Sequence, residues 1–208
     1  MRNPSAALRG TLLLVVGLSL SLGVAGCDLF SSDVSFDSQL QINLTDAPFP
    51  ADRVQAANVT IEEVVIVDRE KEALLIMDEA KSFELTELTA GNQATLVSRG
   101  MPPGEYAQLQ ITVGSSATLT DDGGNSREIS VSEDGDRTVT VGLGRLIIES
   151  GGTGRVTLDF SLENSFQIPE DADPATVSLS EVSYAPSIIL QSVTDGVNTP
   201  NQPQQPGG

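Results

Sequence analysis

Asn58-Val59-Thr60-Ile61-Glu62-Glu63-Val64-Val65-Ile66-Val67-Asp68 is the stretch that decides the fold class. Val59 and Ile61 alternate with polar residues, the period-two signature of a half-buried strand. The run Val64–Val67 is then continuously apolar and β-branched, as a strand covered on both faces would be. The charged loop Arg69-Glu70-Lys71-Glu72 follows, and Ala73–Met77 supplies a second apolar block. The richness in Glu, Lys and Leu from Val64 to Met77 tempts a helical reading. Its apolar residues fall in two blocks rather than one stripe at 3.6 spacing, so a hairpin is expected.

Outward from this hairpin the period stays near two. Leu40, Ile42 and Leu44 alternate within Gln39–Thr45, and Leu109, Ile111 and Val113 within Tyr106–Val113. Ala117–Thr120 and Arg127–Val131 flank Asp121-Asp122-Gly123-Gly124-Asn125, a hairpin signal. Thr138–Leu143 and Arg145–Glu149 read as one long strand or two joined at Gly142–Gly144. Arg155–Leu162 alternates after the turn Gly151-Gly152-Thr153-Gly154, and Val177–Tyr184 and Ser187–Val193 close the domain. Ser82–Val97 fits a strand, a turn and a short helix about equally. Eight to ten short strands with turns between them predict an all-β fold, an antiparallel β-sandwich whose type, prealbumin-like or immunoglobulin-like, stays open, with no long helix.

The 208 residues divide unevenly. Met1–Arg9 is short and basic. Thr11–Leu22 is apolar, and it is shorter than the ~20 residues of a membrane-spanning helix. Small residues then precede the chain's single Cys: Val24-Ala25-Gly26-Cys27. This tetrapeptide resembles the bacterial lipobox, with Val where Leu is commoner. The resemblance implies recognition of Val24, Ala25 and Gly26 by the signal peptidase, diacylglycerol transfer to the Cys27 thiol, and cleavage before Cys27. Thiol chemistry requires Cys at that position, because the thiolate is the strong nucleophile. Two or three acyl chains then anchor where one would not. The expected plan is a signal peptide over 1–26, an acylated Cys and flexible tether over 27–37, one sandwich domain over 38–193, and a disordered Pro/Gln/Asn/Gly tail over 194–208. The protein is thus expected in the cell envelope, lipid-anchored, with its domain outside the cytoplasm. A domain of about 155 residues buries roughly 70% of its unfolded surface and needs no metal or disulfide to fold.

Composition excludes several functions. Without the leader's Arg2 and Arg9, nine basic side chains face 29 acidic ones, a formal charge of −20. That disfavours nucleic acid, whose phosphates need Lys and Arg, and disfavours a basic patch for anionic lipid. The chain has no His, which removes His bases, His metal ligands and the usual pH switch together. No phosphate-cradling Gly loop is present: Gly142-Leu143-Gly144 has no helix behind it. The protein is therefore expected not to be an enzyme.

Two acidic clusters are candidates for Ca²⁺. One is Asp121, Asp122 and Asn125; the other is Glu133, Asp134 and Asp136 beside Gly135. Hard oxygen ligands crowded in loops suit that cation. Their order does not match an EF-hand, and the plainer reading is two acidic hairpin turns with no cofactor at all. A glycan partner is a further candidate, although few aromatics are available for stacking. The leading expectation is a non-enzymatic binding or structural module of an envelope assembly, its ligand unknown, with β-augmentation by a partner strand at an exposed edge as the mode.

Leu44-Thr45-Asp46-Ala47-Pro48 resembles the opening signature of a bacterial and archaeal lipoprotein family, domain of unknown function 4382. Asn58–Val64, Pro103-Gly104-Glu105-Tyr106, Leu158-Asp159-Phe160 and Tyr184-Ala185-Pro186 are similar in order and spacing. The chain departs from the family's pattern in lacking a Trp near Val67–Leu75. The likeness implies an exported β-sandwich, prealbumin-like or carboxypeptidase-regulatory-like, with no assigned activity and no functional residues to carry over. Read physically, Pro103-Gly104 is a type II turn signal with Gly at positive φ, and Asp46 is a turn cap.

Overall fold

The structure is a computed structural model, and it describes residues 36–46, 54–88, 91–132, 136–167 and 179–197. The leader, Cys27 with Val24–Gly26, the tether to residue 35, Asp134 and the tail beyond residue 197 lie outside the described residues.

The described chain is all-β and sandwich-like. Its strands are β1 (Gln39–Thr45), β2 (Val54–Asp68), β3 (Ala73–Met77), β4 (Lys81–Glu84), β5 (Ala94–Gly100) and β6 (Gly104–Val113). They continue as β7 (Ser116–Asp121), β8 (Ser126–Ser130), β9 (Thr138–Ile148) and β10 (Thr153–Phe160). A single helical turn, α1 (Leu162–Ser165), precedes the short β11 (Phe166–Gln167) and β12 (Ser183–Tyr184), and β13 (Ile188–Thr194) comes last. Ser161 caps α1, its hydroxyl accepting from the Asn164 N–H at 3.3 Å.

One sheet is built on β2. Along one edge β2 pairs with β3 through residues 64–67 and with β4 through residues 58–61. Along the other it pairs with β6 and then β7, and these in turn carry β9 and β8. The seven segments therefore act as four long antiparallel strands, each of the outer three interrupted once. The break between β6 and β7 is at Gly114, whose N–H donates to the Thr60 carbonyl at 2.7 Å. A Cβ there would lie 3.3 Å from the Thr60 Cβ, which favours Gly. β9 stays one strand across Gly142–Gly144 because Gly144, at φ 66, forms a bulge opposite Ala107.

The second sheet has the order β13-β10-β1-β5. Here one pair departs from the expected antiparallel pattern: β1 runs parallel to β10 over Gln39–Thr45. The connection between them is the whole first sheet, a crossover no local pattern could announce. Leu40, Ile42 and Leu44 of β1 meet Val156, Leu158 and Phe160 of β10 in one core with Ile61, Val64, Ile66, Leu109 and Ile111 from the other sheet. Each such side chain contributes roughly 1.5–3 kcal/mol by leaving water.

Three further expectations are corrected. Of the strand expected over Val177–Tyr184, the described residues 179–184 form a 3₁₀ turn at Leu179–Glu181 and a two-residue strand, Ser183–Tyr184, paired with Phe166–Gln167. The reason is the Phe166–Tyr184 ring stack, centroids 4.9 Å apart, which locks a short ribbon rather than a long edge. The polar tail begins later than Thr194. That residue ends β13, and the Gly196 N–H donates to the Ile147 carbonyl at 2.8 Å. Gly104 has no positive φ; it opens β6 opposite Ile148, and the chain bends one residue earlier, at Pro103.

Two facing sheet edges are sealed by side chains. Arg99 of β5 donates to the Leu75 carbonyl of β3 at 3.2 Å, and Lys81 of β4 donates to the Leu96 carbonyl of β5 at 2.7 Å. Cations placed on an edge block pairing with foreign strands.

Candidate binding surface

The candidate Ca²⁺ loop proves to be a hairpin turn built twice in this fold. In the β7–β8 turn the Asp121 N–H donates to the Asn125 carbonyl at 3.0 Å, and the Gly124 N–H to the Asp121 carbonyl at 3.0 Å. The Asp121 carboxylate accepts from the Asn125 backbone at 2.8 Å. The β2–β3 turn repeats this pattern: Asp68 N–H to Glu72 carbonyl at 3.0 Å, and Glu72 N–H to the Asp68 carboxylate at 2.8 Å. The third loop residue has positive φ in both, Gly124 at 78° and Lys71 at 69°. Asp121 thus has the turn-closing role of Asp68, and Asp122 is exposed beside it. Asp136 accepts from the Thr138 N–H at 2.8 Å, closing its own turn. Among the described residues no three acidic or thiol groups converge on a cation-sized site.

The Leu44-Thr45-Asp46 signature forms a buried corner. Leu44 enters the core. The Thr45 hydroxyl donates within 3.1 Å of the carbonyls of Leu88 and Asn92. The Asp46 N–H donates to the Leu88 carbonyl at 3.3 Å. The Asp46 carboxylate, 4% exposed, accepts from the Leu162 N–H at 3.3 Å, 116 residues on. Rather than capping only its own turn, Asp46 ties the end of β1 to the start of α1. Residues 37–180 match the family described as Domain of unknown function (DUF4382). The chain belongs to that family. No curated protein and no solved structure matches it.

The other motifs of this DUF4382 domain are structural as well. Tyr106 donates its hydroxyl to the Pro102 carbonyl at 2.7 Å, with the ring buried. Burial first, and the nearby Asp68 charge second, raise its pKa. Burial alone drives Tyr184 far above its ordinary value. Glu105 is held ionically by Arg69 at 2.7 Å and by Arg145 at 3.3 Å. Arg69, Glu105 and Tyr106 line an open hollow of about 510 Å³, and Arg69 also lines a second of about 670 Å³. The first hollow's cation Arg69 is thus already engaged by a neighbouring carboxylate.

The outer face of the β13-β10-β1-β5 sheet is chemically different. Its residues alternate with the buried Leu40, Ile42, Leu44, Val156 and Leu158. By register, Ser98, Gln41, Arg155 and Thr194 form one row across the strands. Thr95, Asn43, Thr157 and Ser192 form the next. Between the rows the Gln41 amide donates to the Asn43 side-chain carbonyl at 3.2 Å, and within the second row Thr95 donates to the same oxygen at 3.4 Å. The Asn43 amide donates to Gln93 at 3.1 Å. Among these eight row positions Arg155 carries the only charge, and Asp159 lies one outward step further along β10. Sequence reading missed this surface, because the polar half of an alternating strand looks like ordinary solvation. The signal available was the choice of uncharged residues there in a chain with 29 acids.

Proposed function

We propose that the chain is a lipid-anchored, non-enzymatic binding module of the cell envelope, which presents the outer face of the β13-β10-β1-β5 sheet to its ligand. The observation that carries the reading is this face, a nearly uncharged ladder of amides and hydroxyls on a chain with 29 acids and 11 bases. Elsewhere charged surface keeps the protein soluble and its copies apart. A face free of that charge costs less to desolvate, and its side chains offer both donors and acceptors. The anchor rests on Val24-Ala25-Gly26-Cys27, and the absence of His supports a role without acid–base catalysis.

Two measurements in cells test the proposal. Wild type should incorporate an alkyne-tagged fatty acid and sediment with membranes, and Cys27→Ala should do neither. A photocrosslinking residue in place of Thr157 should trap an adduct, while one in place of Asp122 should not. Equal trapping from both positions, or an unlabelled wild type, would refute the corresponding half.

A further inference from the structure

We infer that the ligand of this sheet face is a neutral polyhydroxylated polymer, a glycan chain without carboxylate or sulfate, held by hydrogen bonds rather than aromatic stacking. The inference rests on the face being the binding surface. Three observations carry it.

The first is charge. A polyanion needs several cations, and the two rows offer Arg155 alone. A polycation needs carboxylates, and Asp159 is the nearest on β10. The surface fits a partner with no charge to neutralise.

The second is size. Four strands at about 4.8 Å spacing and seven residues at about 3.3 Å rise give roughly 19 by 23 Å, or about 440 Å². A stable protein interface takes about 800 Å² per partner. A second copy would gain half of that and bring two chains of like charge together. A linear polymer laid along the strands needs no more than the face supplies.

The third is donor and acceptor chemistry. Side-chain amides carry two donors and an acceptor with two lone pairs, and Ser and Thr hydroxyls do both jobs. Sugar hydroxyls have the same dual character. The bonds from Gln41 and Thr95 to Asn43, and from Asn43 to Gln93, hold these groups in place before any ligand arrives. Pre-ordering of this kind lowers the entropic cost of binding. Among the described residues Tyr106, Phe160, Phe166 and Tyr184 are buried, Phe36 and Phe83 are half-buried, and none of the eight row positions is aromatic.

Native affinity electrophoresis of the full-length protein provides the test. Its strong negative charge drives it through the gel, so retardation by an immobile polymer is easily read. Gels carry dextran, laminarin or glucomannan as neutral probes, and polygalacturonate or alginate as anionic ones. At least one neutral polymer should retard the wild type. Asn43→Ala with Thr157→Ala should raise the apparent Kd by about tenfold or more, the effect of losing a few hydrogen bonds. Because both residues are half-buried, Ser98→Glu with Ser192→Glu, at exposed positions, serves as a second variant and should weaken retention likewise. Failure of every neutral polymer to retard the wild type overturns the ligand class. Retention by anionic polymers alone, lost in the face variants, overturns the ligand class and leaves the binding face standing. Retention by a neutral polymer that neither variant changes overturns the face itself.

Discussion

Lys71 and Gly124 occupy the same position in two copies of one turn, and the comparison isolates the cost of a side chain there. Both residues are left-handed, at φ 69 and 78. An L-residue with a Cβ has about 1–2 kcal/mol of strain in that region, whereas Gly has none but loses roughly 0.5–1 kcal/mol more backbone entropy on folding. Lys71→Gly should therefore stabilise the domain by about 0.5–1 kcal/mol, read as a higher urea midpoint at unchanged slope. An unchanged or lower midpoint would mean that the Lys71 side chain makes compensating contacts. The turn at Gly124 was legible because its Gly advertised it. The one at Lys71 was legible as a loop, though not as the same turn, because Arg69-Glu70-Lys71-Glu72 contains no residue suited to positive φ.

At the scale of elements, the chain after β13 closes one corner of the sandwich. The Ile147 N–H donates to the Asp195 carboxylate at 2.8 Å, and the Glu149 N–H to the Gly196 carbonyl at 2.9 Å. Gly152 and Gly154 lie directly against Gly196, so a Cβ on Gly152 would overlap the Gly196 carbonyl. Gly152→Ala should break this clip and cost about 2–4 kcal/mol, the sum of its hydrogen bonds. Gly142→Ala, facing open space with no positive φ, should stay within about 0.5 kcal/mol of wild type in the same denaturation series. This clip was hidden in the sequence. Val193 ends the last alternating run, and Asp195-Gly196 looks like the start of a polar tail. Only the partner backbone at Ile147–Glu149 shows that it belongs to the fold. Strand existence was legible throughout β1, β2, β6 and β10, since alternation depends on neighbours two residues apart. Pairing was not legible, since Gln39 meets Thr153 across 114 residues.

For the molecule as a whole, the absence of His leaves few side chains to titrate between the carboxylates and the phenols. Stability should be nearly level through the neutral range, and the alkaline limit falls to Tyr106 and Tyr184. Both are raised in the folded state, mainly by burial. Unfolded phenols ionise near pH 10, so the unfolded state releases protons first. The stability these two residues contribute is full below pH 10 and declines above it. At pH 11 Tyr184 alone should account for up to about 1.4 kcal/mol, or roughly 2–4 °C in Tm. Tyr184→Phe should flatten the fall in Tm between pH 9 and 11 by that amount. An identical fall in the variant would place the alkaline limit elsewhere. The proposed binding face also belongs to this scale. It emerges only when β1, β5, β10 and β13 are assembled from distant parts of the chain, which is why none of its rows could be read along the sequence.

The parallel pairing of β1 and β10 has a mechanical consequence. On the anchored reading, any tug between bilayer and ligand enters the domain at residue 38 and passes straight into β1. That strand is clamped on both flanks, by β10 through all seven of its residues and by β5 on the other side. A pull along its axis loads these bonds together, in shear. A pull on an outermost strand such as β13 would unzip its bonds one after another. Resistance to such a load depends on how fast the domain comes apart under force, which is a kinetic property. On that reading the bilayer would hold the domain by a strand gripped along both flanks.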